Sequence, residues 1–244
     1  MCRLFVKVSA SPVRSRPEFH TLNQFSYSHR DGWGVAQLDP RGNWTTAKSI
    51  APAHTSTFEH IGAHSPSRVT LAHLRLASVG KLDIQNNHPF EANGWVFMHN
   101  GTVTNFAGTR HLIEREIAPE FRAQLKGATD SERCFGLFLT FLGGRADVEI
   151  SEAAQALSRT SRFVSGLSDT AANASKLNFV ASNGKITLAT RRGHTLVSNQ
   201  GRSAVSIASE PLTPGQSWRV VPENGLIAVD DTLSVYKSST VDWK

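Results

Sequence analysis

MCRLF, residues Met1–Phe5, opens the chain and places a cysteine directly behind the initiator methionine. Removal of Met1, which is usual before a small side chain, would leave Cys2 with a thiol and a free α-amine on one residue. The amine, with a pKa of about 7.7–8.0, could accept a proton from a thiol of pKa about 8.5. The stretch therefore predicts a nucleophile with its own base, although a cysteine taken alone is more often a small buried hydrophobic residue. The segment CRLFVKV also has the partly alternating, β-branched pattern of a strand.

The composition predicts a single packed domain in a reducing compartment. With 244 residues, 39% of them hydrophobic, the chain is long enough to bury one core, and we expect one domain over residues 2–244. Only two cysteines occur, and neither has disulfide-framework or metal-ligand spacing, so we expect a cytoplasmic protein without metal or cofactor. No apolar run approaches the roughly 18 residues of a membrane span. The net charge of +6 comes from scattered Lys and Arg residues, which argues against nucleic acid and suits an anionic small substrate.

The remaining pattern favours an α+β fold. Strand-like segments such as RVTLAHLRL and GWVFMHNG dominate the first half. The segment ATDSERCFGLFLTFLGG predicts a helix with a capping box formed by Thr129 and Glu132 and a stop at two glycines. A second helix, ISEAAQALSRTSRF, is predicted with Ser151 as its cap, and Asn183-Gly184 predicts a hairpin with positive φ values. The order of strands, helices and strands favours α+β layering over an alternating parallel sheet.

Four further residues could complete a site around Cys2. The side-chain amide of Asn100 could donate to an oxyanion, and Gly101 could bring its N–H close to a ligand; an Asn-Gly turn explains the pair equally well. Arg75 follows an apolar strand, where a substrate carboxylate could pair with it, unless the side chain simply faces solvent. Asp130 in the first turn of the predicted helix could hold a substrate ammonium, or could only complement the helix dipole.

Seven short motifs extend this constellation along the chain. They are MCRLF at 1–5, HRDGWG at 29–34, HLRLAS at 73–78, NNHPF at 86–90, MHNG at 98–101, TDSE at 129–132 and ASEPL at 208–212. Their order resembles that of the class II glutamine amidotransferases, which are N-terminal nucleophile (Ntn) hydrolases. The resemblance runs from residue 2 to about residue 229 and is closest to the small stand-alone members.

The resemblance implies both a fold and a reaction. The fold is a four-layer αββα sandwich of two antiparallel sheets flanked by helices. Cys2, freed by loss of Met1, would attack the γ-carboxamide of a glutamyl substrate, and Asn100 with Gly101 would form the oxyanion hole. A γ-glutamyl thioester would form, and water would then release glutamate.

The resemblance also implies how the substrate is held. Arg75 would bind the α-carboxylate, with Ser78 nearby in a supporting role, and Asp130 would bind the α-amine. His88 and Asp31 match motifs that shape the pocket, without a chemical step.

One departure from the family pattern concerns the rim of the pocket. Many class II enzymes have Trp-Ala-Thr-His after the carboxylate-binding arginine, whereas this chain has Leu76-Ala77-Ser78-Val79. The less polar rim favours an amidase that trims a γ-glutamyl conjugate or peptide over a glutaminase that feeds ammonia to a separate synthase. A separate synthase or peptidase partner fits either activity.

Other functions are compatible with parts of the sequence. Retention of Met1 would place the amine on the wrong residue and favour a non-catalytic or partner-dependent module of the same fold. A nucleic-acid binder is disfavoured because no stripe combines aromatic and basic residues. A metal hydrolase would need four histidines that lack HExxH-like spacing, namely His64, His73, His88 and His99.

Overall fold

The computed structural model describes residues 2–240, so the expected removal of Met1 and the last four residues of the predicted domain lie outside the described part. The strands are β1 Arg3–Val13, β2 Trp33–Leu38, β3 Trp44–Ser49, β4 Ser67–Leu74, β5 Phe90–Ala92, β6 Trp95–Thr102, β7 Lys176–Ser182, β8 Ile186–Thr190, β9 Val197–Gln200, β10 Ala204–Ala208, β11 Arg219–Val220, β12 Gly225–Asp230 and β13 Val235–Ser239. The α-helices are α1 Arg16–Phe25, α2 Phe58–His64, α3 Phe106–Glu116, α4 Pro119–Arg122, α5 Asp130–Leu142 and α6 Ile150–Ser168. Short 3₁₀ turns occupy Ala53–Thr55 and Ile84–Asn86. No helix among the described residues is long and apolar enough to cross a membrane.

The strands form two antiparallel sheets. Sheet A has the order β11-β9-β10-β1-β4-β2-β3, and sheet B has the order β13-β12-β8-β7-β6-β5. Strand β1 lies inside sheet A between β10 and β4, and β6 lies beside β7 in sheet B. The residue that precedes β1 is therefore carried by an interior strand, which has hydrogen-bonded neighbours on both sides.

Alternating side chains place the two sheets face to face. In β1, Leu4 and Val6 belong to a core shared with Val96 and Met98 of β6, between the sheets. The intervening Phe5 faces the other way and packs with Phe19 of α1. The pleat of a strand sends successive side chains to opposite faces, and because both faces of β1 are covered, Leu4, Phe5 and Val6 are all buried.

Sheet B is covered on its outer face by α5 and α6. Phe97 of β6 stacks on Phe135 of α5 with ring centroids 5.3 Å apart, and Phe179 of β7 lies 5.2 Å from Phe97. Together with the layer of α1 and α2 on sheet A, this gives the order helix, sheet, sheet, helix. The predicted α+β class and the four-layer αββα sandwich are confirmed.

Local signals in the sequence were right about where elements lie and less accurate about their ends. Thr129 caps α5 by accepting the N–H of Glu132 at 3.3 Å, but the Glu132 carboxylate turns to the N–H groups of Lys126 and Gly127, so the reciprocal half of the capping box is absent. The predicted cap at Ser151 is wrong, because Glu149 precedes α6 and forms its capping box with Glu152.

The β7–β8 hairpin is confirmed at the predicted place. Only Gly184 has a positive φ, of 88°, whereas the expectation covered both turn residues. The side chain of Asn183 instead accepts the N–H groups of Lys185 and Ile186, which closes the turn without a left-handed residue at that position.

Candidate active site

Three strand ends meet at the candidate site. Cys2 directly precedes β1, Arg75 directly follows β4, and Asn100 with Gly101 lies near the end of β6. Arg3 of β1 is paired with Leu74 of β4, so the residues just beyond this pair are neighbours in space. The pairing of strands therefore brings together positions that are far apart along the chain.

The sulfur of Cys2 is held against the turn that follows β4. Its Sγ accepts the backbone N–H of Leu76 at 3.4 Å and lies 3.5 Å from the Leu76 carbonyl oxygen. Burial raises the pKa of the Cys2 thiol, while the Leu76 N–H and the charge of Arg75 act to lower it. Asp130 raises the same pKa through its negative charge. Both charged groups are thus near enough to act on the sulfur.

A pocket of 380 Å³ opens beside this sulfur. Four of the predicted site residues line it: Cys2, Ser78, Asn100 and Gly101. Its other described lining residues are Leu76, Thr102, Val103, Thr104, Asn105, Asn173, Ala174, Lys176 and His194. The candidate nucleophile, the predicted oxyanion hole and one supporting residue are therefore together, whereas the described residues that line the pocket do not include Arg75, Asp130 or His88.

Asn100 is positioned by a residue that the sequence did not single out. Its side chain is buried, and Nδ2 donates to Ser209 Oγ at 3.2 Å. The same hydroxyl oxygen accepts the backbone N–H of Leu4 at 3.0 Å, so Ser209 ties the end of sheet B to β1. The ASEPL motif was the available signal, but a serine gives no hint of its partners before the sheets are packed.

Gly101 is required by its own strand pairing. A Cβ built at this position would lie 1.8 Å from the carbonyl oxygen of Lys176 on β7 and 2.5 Å from Nε2 of His99. The sequence expectation attributed the glycine to close approach of a ligand. The structure supplies a different reason, because the β7 backbone fills the space that a side chain would need.

The Arg75 guanidinium is directed at the backbone of the following turn. The side chain is buried, and it donates to the carbonyl oxygens of Val79 at 3.1 Å, Gly80 at 3.4 Å and Lys81 at 3.2 Å. It also reaches Asn87 Oδ1 at 3.3 Å. The solvent-facing alternative for Arg75 is therefore wrong, and both of its terminal nitrogens donate to protein acceptors.

The turn after Arg75 is fixed from two other sides. Asp31 accepts the backbone N–H of Ala77 at 2.7 Å. Ser78 Oγ lies 2.9 Å from Thr102 Oγ1, which connects the turn to the end of β6. These contacts give the HRDGWG motif and Ser78 a clear role in shaping the pocket wall.

Asp130 is also engaged by backbone groups. Its Oδ2 accepts the N–H of Val103 at 2.7 Å, and its Oδ1 accepts the N–H of Ser131 at 2.8 Å. Val103 lines the pocket, so the carboxylate supports the wall from behind. Nε2 of His99 donates to the Lys176 carbonyl oxygen at 2.9 Å, so Nδ1 of the neutral ring accepts from Ser131 Oγ at 2.9 Å and joins His99 to the same network.

Three of the four histidines considered as metal ligands are buried, namely His73, His88 and His99. The rings of His73 and His88 lie 4.2 Å apart, and His73 Nε2 donates to the His99 carbonyl oxygen at 3.3 Å. Burial lowers the pKa of His73 to about 3 and that of His88 well below its ordinary value. His64 lies apart, in α2, stacked on His60. Within residues 2–240 no group of three or more His, Cys, Asp or Glu side chains could hold a metal ion.

Comparison with known proteins places the chain in a family. The family model described as class II glutamine amidotransferases matches residues 1–199, so the chain belongs to the class II glutamine amidotransferases, a family of enzymes. The probable glutamine amidotransferase DUG3 of Saccharomyces cerevisiae is 26% identical, over 94% of this chain and 82% of that protein. The gamma-glutamyl-hercynylcysteine sulfoxide hydrolase of Mycolicibacterium smegmatis is 28% identical, over 82% of this chain and 78% of that protein. The relatives confirm the resemblance to small stand-alone members.

Solved structures agree on the fold. A glutamine aminotransferase class-II domain protein from Silicibacter pomeroyi superposes with a TM-score of 0.72 at 24% identity, covering 98% of both chains. The glutamine phosphoribosylpyrophosphate amidotransferase from B. subtilis gives 0.70 at 15% identity, over 98% of this chain and 49% of that one. The Ntn-hydrolase fold expected from the sequence is confirmed.

Proposed function

We propose that this protein hydrolyses γ-glutamyl amides, glutamine or a γ-glutamyl conjugate, through a γ-glutamyl thioester on Cys2. The observation that carries the proposal is the joint presence of Cys2, Asn100 and Gly101 in one 380 Å³ pocket. The family membership and the activity for which the 28% identical hydrolase is named support the same chemistry. The products are glutamate and either ammonia or an amine.

The first step needs a base because the nucleophile is not ionised beforehand. Burial raises the pKa of the Cys2 thiol, so a neutral thiol dominates near pH 7. The proton must therefore leave as the sulfur attacks the γ-carbonyl carbon. The α-amine of Cys2, free once Met1 is removed, is the proposed acceptor, and it passes the proton to the departing nitrogen.

The developing negative charge is stabilised by two donors. The carbonyl oxygen becomes an oxyanion, which would accept from Asn100 Nδ2 and from the backbone N–H of Gly101. Ser209 accepts from the same Asn100 nitrogen, which has a second hydrogen to offer, so positioning and catalysis are compatible. Water activated by the α-amine then attacks the thioester and releases glutamate.

Two charged residues would hold the amino-acid end of the substrate. Arg75 would bind the α-carboxylate and Asp130 the α-ammonium, and both already act on the pKa of Cys2 through their charges. Their present partners are the carbonyl groups of the turn after Arg75 and two backbone N–H groups. Substrate binding by these residues would therefore require that some of these contacts be exchanged.

A partner-dependent amidotransferase module is the second candidate. Its support is the contact of Arg75 with the carbonyl oxygens of Val79, Gly80 and Lys81, which leaves the carboxylate site unformed. A synthase bound near this turn could reorganise it and receive the ammonia. The two candidates differ in whether the isolated protein turns over a γ-glutamyl amide.

Intact mass before and after incubation with 6-diazo-5-oxonorleucine tests the proposal. This glutamine analogue alkylates an activated thiol that its amino-acid end places correctly, and it loses nitrogen in doing so. We expect a protein that lacks Met1 and carries one adduct at Cys2. The adduct should disappear in Cys2→Ala and persist in Cys134→Ala, because Cys134 is buried inside α5.

The outcomes separate the candidates. One adduct at Cys2 together with glutamate release by the isolated protein supports hydrolysis. An adduct without turnover favours the partner-dependent module. Retained Met1 with no adduct would contradict a catalytic role for the thiol and leave a non-catalytic member of the fold.

A further inference from the structure

We propose that Lys176 and His194 form a subsite that binds a carboxylate carried by the leaving amine. The inference rests on the proposed function, because it assigns a place to the part of the substrate beyond the scissile bond. It specifies the substrate class as γ-glutamyl amino acids or peptides rather than glutamine itself.

The strand register directs Lys176 toward the pocket. In the β6–β7 pair, Asn100 lies opposite Asn178, and Thr102 lies opposite Lys176. Directly paired residues and those two positions along share one face of a sheet. Lys176 therefore lies on the face that carries Asn100 and Thr102, and all three line the same pocket as Cys2.

The charge at this end of the pocket is positive and not neutralised. Lys176 is exposed and makes no ion pair with another described residue. Among the described lining residues none is acidic. An ammonium in a pocket without a carboxylate favours an anionic ligand group.

The acidic side chains near Lys176 and His194 already have other partners. Asp169 pairs with Arg192 at 2.7 Å. Glu223 accepts the backbone N–H of Gly193 at 2.7 Å and lies 3.5 Å from Arg191. The segment directly before His194 thus engages both carboxylates, and neither of them forms an ion pair with Lys176, which leaves the ammonium for a ligand.

His194 complements the lysine as a neutral donor. Burial, and next the charge of Lys176, lower its pKa to about 4, so the imidazole is uncharged near pH 7. A neutral imidazole still has one N–H donor. The pair therefore offers one charged and one neutral donor, and the amide groups of Asn105 and Asn173 line the same pocket.

Glutamine makes no use of this subsite. Its leaving group is ammonia, which carries no anion. A pocket of 380 Å³ falls in the range of about 300–1,000 Å³ that holds larger ligands. A γ-glutamyl amino acid places a carboxylate two atoms beyond the scissile nitrogen. The ammonium of Lys176, which lines the same pocket, can reach a carboxylate at that position.

A matched pair of substrates tests the inference. γ-Glutamylglycine and γ-glutamylglycinamide differ only in a carboxylate against a carboxamide on the leaving amine. We expect kcat/KM to be about fivefold higher for the glycine conjugate, the upper end for a partly exposed ion pair. Lys176→Gln should remove that preference and raise KM for the glycine conjugate alone. Lys185→Gln should preserve it, because Lys185 lies at the hairpin of the same sheet and its one ion pair within residues 2–240 is with Asp147.

Failure of this inference is distinguishable from failure of the proposed function. Equal kcat/KM for both conjugates, or an equal loss for both in Lys176→Gln, would overturn the carboxylate subsite while leaving hydrolysis in place. If the protein lacks Met1 and still hydrolyses neither conjugate nor glutamine, the proposed function is overturned and this subsite with it. Charge reversal in Lys176→Glu should make the glycinamide conjugate the better substrate.

Discussion

Replacement of Asn100 by alanine tests the oxyanion hole most directly, because the change separates catalysis from stability. The side chain contributes one hydrogen bond in the structure, from Nδ2 to Ser209 Oγ at 3.2 Å. Its Oδ1 is buried without a partner among the described residues, so removing that oxygen relieves a desolvation cost. The Ser209 hydroxyl keeps its other contact, the N–H of Leu4.

These contacts set the expected magnitudes. Loss of one buried hydrogen bond lowers the free energy of unfolding by about 1 kcal/mol. Loss of one oxyanion donor raises the activation barrier by about 2.7–4 kcal/mol, which corresponds to a fall in kcat of about 10²–10³-fold. Asn100→Ala should therefore remain folded and lose nearly all its activity.

The assay is glutamate release from a γ-glutamyl amide, with urea denaturation of the same preparation. Asn100→Asp is the matched variant, since it preserves side-chain volume but replaces the donor by an anion. We expect it to be at least as inactive as the alanine variant, because its charge opposes that of the oxyanion. An Asn100→Ala protein with wild-type kcat and wild-type stability would refute the role of Asn100.

Two further predictions concern groups behind the pocket. Ser209→Ala removes the acceptor shared by Leu4 and Asn100, so it should lower kcat more than it raises KM. It should also lower the free energy of unfolding by about 1–3 kcal/mol. Ser209→Thr should rescue kcat, and failure of that rescue would contradict a positioning role for the hydroxyl. The lowered pKa values of His73, to about 3, and of His88 mean that the unfolded chain binds protons below about pH 6.5 that the folded protein does not, so stability falls as the pH falls. Between pH 7.5 and 5.5 the two imidazoles should lower the free energy of unfolding by about 3 kcal/mol, measured by urea denaturation. A flat profile would show that they take up protons in the folded protein as readily as in the unfolded chain, and would contradict the lowered pKa values.

Local patterns in the sequence were sufficient for the elements that carry the site. The alternation in β1, the Thr129 cap of α5 and the Asn183-Gly184 hairpin each depend on residues a few positions apart. Such signals arise from backbone geometry and neighbouring side chains, which the sequence presents directly. At Ser151 the error arose because Glu149 and Glu152 form the capping box of α6 instead. At Thr129 the second half of the box is missing because the Glu132 carboxylate accepts the N–H groups of Lys126 and Gly127.

The sequence by itself determined that this protein is an α+β member of the class II glutamine amidotransferases with Cys2 as its candidate nucleophile. It could do so because strand period, helix caps and the ordered motifs are all written in short segments. Only the tertiary structure decided which polar groups meet around the sulfur. It placed Ser209 between Leu4 and Asn100, 205 positions along the chain from the first, and it occupied Arg75 with backbone carbonyls. Such contacts depend on how two sheets pack against each other, and no local pattern of residues encodes that arrangement.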